Sequence, residues 1–118
     1  MKQFNNPWFS IGFIETPLPV NTTLGATANF HCSAARTPFW FINGRAASPT
    51  TDNEINISKP QQVGDSVHST LTVLASHGKN NSLIQCGVLI IHERRGLVTS
   101  PVELKIQGCC YMLANRNT

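Results

Sequence analysis

From residue 27 to 34 apolar and polar side chains alternate, with Ala28, Phe30 and Cys32 on one side and Asn29 and His31 on the other. A period of two is the signature of a half-buried β-strand. Residues 66–74 repeat it, with Val67, Ser69, Leu71 and Val73 in register. Shorter apolar runs predict strands over about 38–42 and 83–92. A first strand is predicted over 8–14, ended by Pro17 and Pro19, and Val20 opens a second short segment. A last strand is predicted over 98–107, with Pro101 tolerated at a bulge or sheet edge. Leu24-Gly25 reads as a turn. Glu93-Arg94-Arg95-Gly96 reads as a hairpin turn, Gly96 being free to take positive φ. The polar stretch 45–60 offers only 54–58 as a short strand, and 76–82 is a loop. No internal repeat or low-complexity tract interrupts the pattern.

Three residues organise these strands: Cys32, Trp40 and Cys86, each inside a predicted strand. Leu71-Thr72-Val73 precedes Cys86 by fifteen residues, and Trp40-Phe41-Ile42-Asn43-Gly44 ends in a turn signal. On these residues, over roughly 7–107, the chain resembles an immunoglobulin-superfamily domain of a cell-surface receptor or adhesion type. The resemblance implies an all-β fold, a two-sheet antiparallel Greek-key sandwich. It further implies a Cys32–Cys86 inter-sheet disulfide, Trp40 packed on the bridge, and Leu71, Val73 and Ile84 in the core. The 54 residues from Cys32 to Cys86 suit the shorter C2 and I sets. In the family's lettering the predicted strands over 38–42, 83–92 and 98–107 are C, F and G; strand G lacks the Phe-Gly-x-Gly bulge of joining segments, which puts antigen-receptor V-type pairing in doubt. The family's corner tyrosine, two before the second cysteine, is here Ile84. The loop before strand F is therefore expected to rely on apolar packing. Asn80 and Ser82 replace that corner's usual Asp and Gly or Ala.

A chain of 118 residues is expected to form one domain, and it is long enough to fold alone. The expected division is 1–6 leader or added residues, 7–107 the domain, and 108–118 a tail or linker. A net charge of +3 is too mild for a nucleic-acid signature. No apolar run is long enough to span a bilayer, so no direct membrane insertion is expected of this stretch. The start, Met1-Lys2-Gln3-Phe4, lacks the apolar region of a signal peptide. Two readings fit: a fragment whose leader was replaced by Met1, or a cytosolic domain. The bridge implied by the resemblance favours an oxidising, extracellular setting. Sequons stand at Asn21, Asn56 and Asn80, all expected to be glycosylation sites exposed at loops or strand ends, with at least one carrying glycan in a eukaryotic host. Cys109-Cys110 has two readings, interchain links or part of a terminal tail.

No catalytic constellation emerges. His31, His68, His77 and His92 share no spacing, and His31 points away from its neighbour Cys32 by strand alternation. No zinc ladder or glycine-rich phosphate loop is present, so neither an enzyme, nor a metal, nor a cofactor is expected. The informative constellation is apolar. Parity from Cys86 sends Ile84, Val88 and Ile90 inward and Gln85, Gly87, Leu89 and Ile91 outward. Parity from Trp40 sends Phe39 and Phe41 outward. Phe39, Phe41, Leu89 and Ile91 should therefore share the outer face of the GFC sheet. Such a face is either an interface core or is covered by the chain itself, through Trp8 or the 45–60 segment. Arg94 and Arg95 at the hairpin tip are a second contact candidate, or an ordinary solvated turn. The expected function is protein recognition at the cell surface, with another protein or a second copy as partner. The alternatives are a secreted decoy or immune modulator and an intracellular structural module.

Overall fold

The computed structural model describes residues 13–90 and 95–108, with the side chains of Ile90 and Arg95 outside the described set. Its strands are β1 (Phe13–Glu15), β2 (Val20–Thr23), β3 (Thr27–Ala34), β4 (Phe39–Ile42), β5 (Arg45–Ala46), β6 (Ile55–Ile57), β7 (Gln61–Val63), β8 (Ser66–Leu74), β9 (Ser82–Ile90), β10 (Arg95–Val98) and β11 (Val102–Gln107). One sheet runs β1-β3-β8-β6, with β7 also on β8. The other runs β2-β11-β9-β4-β5, with β10 also on β9. Pairing is antiparallel except between β2 and β11. Inward faces of both sheets close on one core that includes Phe13, Phe30, Leu71, Val73, Ile84, Leu104 and Ile106. Through it passes the Cys32–Cys86 disulfide, with Cα atoms 6.4 Å apart.

Alternation places the long strands as the sequence predicts. Along β8, Val67, Ser69, Leu71 and Val73 are buried; along β3, Ala28, Phe30 and Cys32 are buried while Asn29 and His31 are exposed. Trp40 stands directly across from Cys86 in the β4–β9 ladder, and its indole N–H donates to buried Ser69 Oγ at 2.9 Å. A buried tryptophan needs such a partner for its one polar atom. Asn43-Gly44 closes the β4–β5 hairpin with both residues at positive φ, 53° and 81°. That is the two-residue turn whose twist matches paired strands.

Four expectations are corrected. Gly96 is not in a turn: it lies in β10, opposite Leu89, and Arg95 opens the same strand. The last strand is not continuous. It splits into β10 and β11, with Thr99 and Pro101 in the gap. Thr99 is buried there; its N–H donates to the Cys86 carbonyl and its Oγ1 accepts the Cys86 N–H. One side chain thus does what a ladder bond would do, and proline sits where no donor is needed. Residues 45–63 hold three short strands rather than one. The signal missed was Gly64-Asp65, a two-residue hairpin loop between β7 and β8 with Gly64 at φ 60°. The strand predicted over 8–14 is described only from Phe13, and 1–12 lie outside the described residues.

The loop before β9 also departs from expectation. Polar groups hold it, where apolar packing was expected. Lys79 Nζ, in a single 3-10 turn (His77–Lys79), bonds Glu54 at 2.9 Å and Asp52 at 3.1 Å. Ser76 Oγ donates to the same Glu54 oxygen. Asn80 Oδ1 accepts the N–H of Ile106 at 2.9 Å, so Asn80 is half-buried and not the exposed sequon expected. Ile84, where the corner tyrosine would stand, is fully buried. A side chain without a hydroxyl leaves the corner to be tied by its neighbours.

Both carboxylates of this clamp are held below their ordinary range. For Asp52 the main cause is the Glu54 backbone N–H on Oδ1, and for Glu54 it is the hydrogen bond from Lys79. Burial pulls Lys79 down, but its bonds to Glu54 and Asp52 outweigh this and hold it up. Depressed carboxylates stabilise the fold above their unfolded values and lose that contribution as pH falls through the folded values. The raised lysine contributes below its ordinary value and is lost as pH rises past it. Melting temperature followed by pH should therefore fall below about pH 4 in the wild type. It should fall less steeply in Lys79→Met, which has already lost the clamp. Parallel curves would show that the clamp adds nothing to acid stability.

Candidate functional site: an apolar sheet face

The site is built where β4, β9 and β10 lie side by side. Register sets Phe39, Gly87 and Val98 in one row across the three strands, with Leu89 opposite Gly96 in the next row of β9 and β10. Because Gly87 has no side chain, these residues surround a groove of about 190 Å³ lined by Phe39, Phe41, Gly87, Leu89, Gly96 and Val98, with Val88 and Leu97 below. Phe39 is 51% exposed, Leu89 47% and Val98 51%. Phe41 is half-buried because its ring leans over Gly87. A Cβ at that position would come within 2.8 Å of Phe41 Cε2 and 3.2 Å of the Leu97 carbonyl oxygen. The glycine is thus both the floor of the groove and the reason the ring can lie down.

Phe39 and Leu89 also form the ridge of a second hollow of about 400 Å³, lined by Ala35, Arg36, Thr37, Gln62 and Val67. The hollow lies at the end of the sandwich where β3 leaves its sheet. Arg36 is exposed there, and no described residue forms an ion pair with it.

Of the residues expected on this face, Phe39, Phe41 and Leu89 come together. Ile91 and Arg94 lie outside the described residues, as does the side chain of Arg95. Cys109, Cys110 and Trp8 are likewise outside. Val98 is absent from the expected set, because parity from Trp40 and Cys86 fixes only β4 and β9; pairing of β10 with β9 places it opposite Gly87. Asn21 and Asn56 are exposed on β2 and β6. Among the described residues no cluster of His, Cys, Asp or Glu could hold a metal ion, and no helix is long and apolar enough to cross a membrane.

A two-sheet antiparallel sandwich bridged between its third and ninth strands, with a tryptophan against the bridge, is the immunoglobulin fold. In its lettering β1, β3, β8 and β6 are A, B, E and D, and β2, β11, β9, β4 and β5 are A′, G, F, C and C′. Solved structures share this fold. The chain is similar to the N-terminal Ig1-2 module of the Drosophila receptor protein tyrosine phosphatase DLAR, with TM-score 0.64, 20% identity, and coverage of 80% of this chain and 47% of that one. It is similar to the N-terminal eight Ig domains of Down syndrome cell adhesion molecule isoform 1.30.30, with TM-score 0.64, 14% identity, and coverage of 81% and 12%. A chimeric titin Z1Z2 carrying an exogenous decorin peptide matches at TM-score 0.59 and 19% identity, covering 80% and 91%. The chain thus spans about half of the first and a small part of the second. No protein-family model and no curated protein matches the sequence.

Proposed function

We propose that the chain is a protein-recognition module that docks through the outer face of its GFC sheet. The observation that carries this is the exposure of Phe39, Leu89 and Val98 around the Gly87 floor. A face of aromatic and branched aliphatic side chains without charge is the composition of an interface core, and contiguous exposed apolar surface on a sheet marks a contact site more often than a solvated one. The partner is another protein or a second copy of the chain. The setting is extracellular: the Cys32–Cys86 bridge persists in oxidising compartments, and two of the similar structures are a receptor phosphatase and an adhesion molecule by name. Phe39, Phe41 and Leu89 are the anchors on the described face; Ile91 is a fourth anchor by strand parity, and Arg94 and Arg95 are a second contact candidate.

Phe39→Ala combined with Leu89→Ala should leave the melting temperature nearly unchanged, since neither side chain belongs to the inter-sheet core. It should weaken association strongly, each anchor being worth roughly 2 kcal/mol. Light scattering across a concentration series reads self-association, and retention of the chain on partner-bearing cells reads association with another protein. Unfolding of the double variant would make the patch a second small core and overturn the docking face.

A further inference from the structure

We propose that the chain is N-glycosylated at Asn56 and Asn21, and that the third sequon, at Asn80, is a structural staple with no glycan. The three share the Asn-x-Ser/Thr pattern, but the fold treats them differently. Asn56 sits in β6 between inward Ile55 and Ile57, so its amide points out from the sheet opposite the apolar groove, beside Thr72 in register. The surface around it is hydrophilic. Thr72 Oγ1 donates to Asn29 Oδ1, His31 and Thr70 share a hydrogen bond at 2.9 Å, and Ser66 and His68 share one at 3.0 Å. Among the described residues the Asn56 side chain has no hydrogen-bond partner, and a sugar attached to its exposed amide nitrogen would project into solvent. Asn21 is exposed on the edge strand β2, opposite exposed Lys105. The β11–β9 ladder sets that end of the sheet beside Ser82, where β9 begins, while the groove lies at Gly87 and Leu89. At ~3.3 Å per residue the separation along the strand is about 20 Å.

Asn80 is different in each respect. It is half-buried, and its Oδ1 accepts the N–H of Ile106, a core residue of the final strand. Its neighbour Asn81, at φ 66°, donates its N–H to the Leu104 carbonyl, and its Oδ1 accepts a bond from Lys105. The sequon's Ser82 is buried at the start of β9. Oligosaccharide transfer meets the chain as it emerges, so the fold acts by what it tolerates afterwards. Asn80 is half-buried with its Oδ1 held on the Ile106 N–H, so a glycan on its amide nitrogen would start against β11, whereas one on Asn56 or Asn21 starts from an exposed side chain. The recognition reading could fail and this assignment still hold, because the acceptors lie away from the groove.

The experiment is to direct the full chain through the secretory pathway of a human cell line. Enzymatic deglycosylation in ¹⁸O-water then marks each formerly glycosylated asparagine as labelled aspartate in peptide maps. Label at positions 56 and 21 and none at 80 is the expected result. Asn56→Gln and Asn21→Gln should each remove one glycan step from the intact mass. Ser82→Ala deletes the third sequon but keeps the Asn80 amide, and should change no glycan step. Asn80→Leu should lower the melting temperature while the glycan pattern stays the same. Unlabelled Asn56 or Asn21 in oxidised protein, or label at Asn80 in folded protein, would overturn the assignment.

Discussion

Replacing both Cys32 and Cys86 by alanine should lower the unfolding free energy by about 4 kcal/mol, as read from equilibrium denaturation in guanidinium chloride. The bridge joins residues 54 apart in sequence, and closing a loop of that length raises the free energy of the unfolded ensemble by roughly this much. The cost is a large share of the ~5–15 kcal/mol that holds a domain of this size together. Both sulfurs are buried in the centre of the core, one from each sheet. The bridge therefore also fixes the sheets face to face at the point where Trp40 packs. Reduction in the folded state should be slow for the same reason of burial, and fast once denaturant opens the sandwich. A loss under 1 kcal/mol would mean that the unfolded chain is already compact without the bridge.

Trp40→Ala should cost about as much, roughly 3–5 kcal/mol, from lost burial and the cavity left behind. Trp40 is only 2% exposed and stands across from Cys86 in the ladder. Trp40→Phe separates two contributions. It keeps most of the apolar contact but leaves Ser69 Oγ, itself buried, without the indole N–H at 2.9 Å. An orphaned buried polar group costs about 1–3 kcal/mol, so the Phe variant should fall between wild type and Trp40→Ala. Because Trp40 and the bridge are neighbours, the triple variant should lose less than the sum of its parts. Strict additivity in denaturation would show that the tryptophan and the disulfide act independently.

The opposite faces of β4 and β9 divide the work of the domain. Inward Trp40, Ile84, Cys86 and Val88 hold the sheets together; outward Phe39, Phe41 and Leu89 form the proposed contact. One register serves both, because a one-residue slip in either strand would exchange the two sets. Gly87 links them. It opens the groove on the outside without weakening the inside, since position 87 faces outward with Phe39 and Val98 while Cys86 and Val88 face the core.

Strands β3 and β8 were legible residue by residue, because alternation is local and each runs through the centre of its sheet with one side buried. The Cys-Trp-Cys order carried the sandwich and the bridge, and parity from Trp40 and Cys86 carried the outward set on β4 and β9. What alternation states is which way a side chain points, and no more. Which strand lies beside it depends on pairing between residues far apart in sequence. That pairing decided that Val98 joins Phe39 across Gly87, that Gly96 is a strand residue, and that Thr99 bonds Cys86 from both its backbone and its hydroxyl. It also decided the corner before β9. There a lysine reaches two carboxylates about 25 residues earlier, and an asparagine, read from the sequence as a free acceptor, accepts the backbone N–H of a residue 26 positions later. Polar partners at such separations leave no periodic trace. They are chosen by the three-dimensional approach of segments that the hydrophobic core has already brought together.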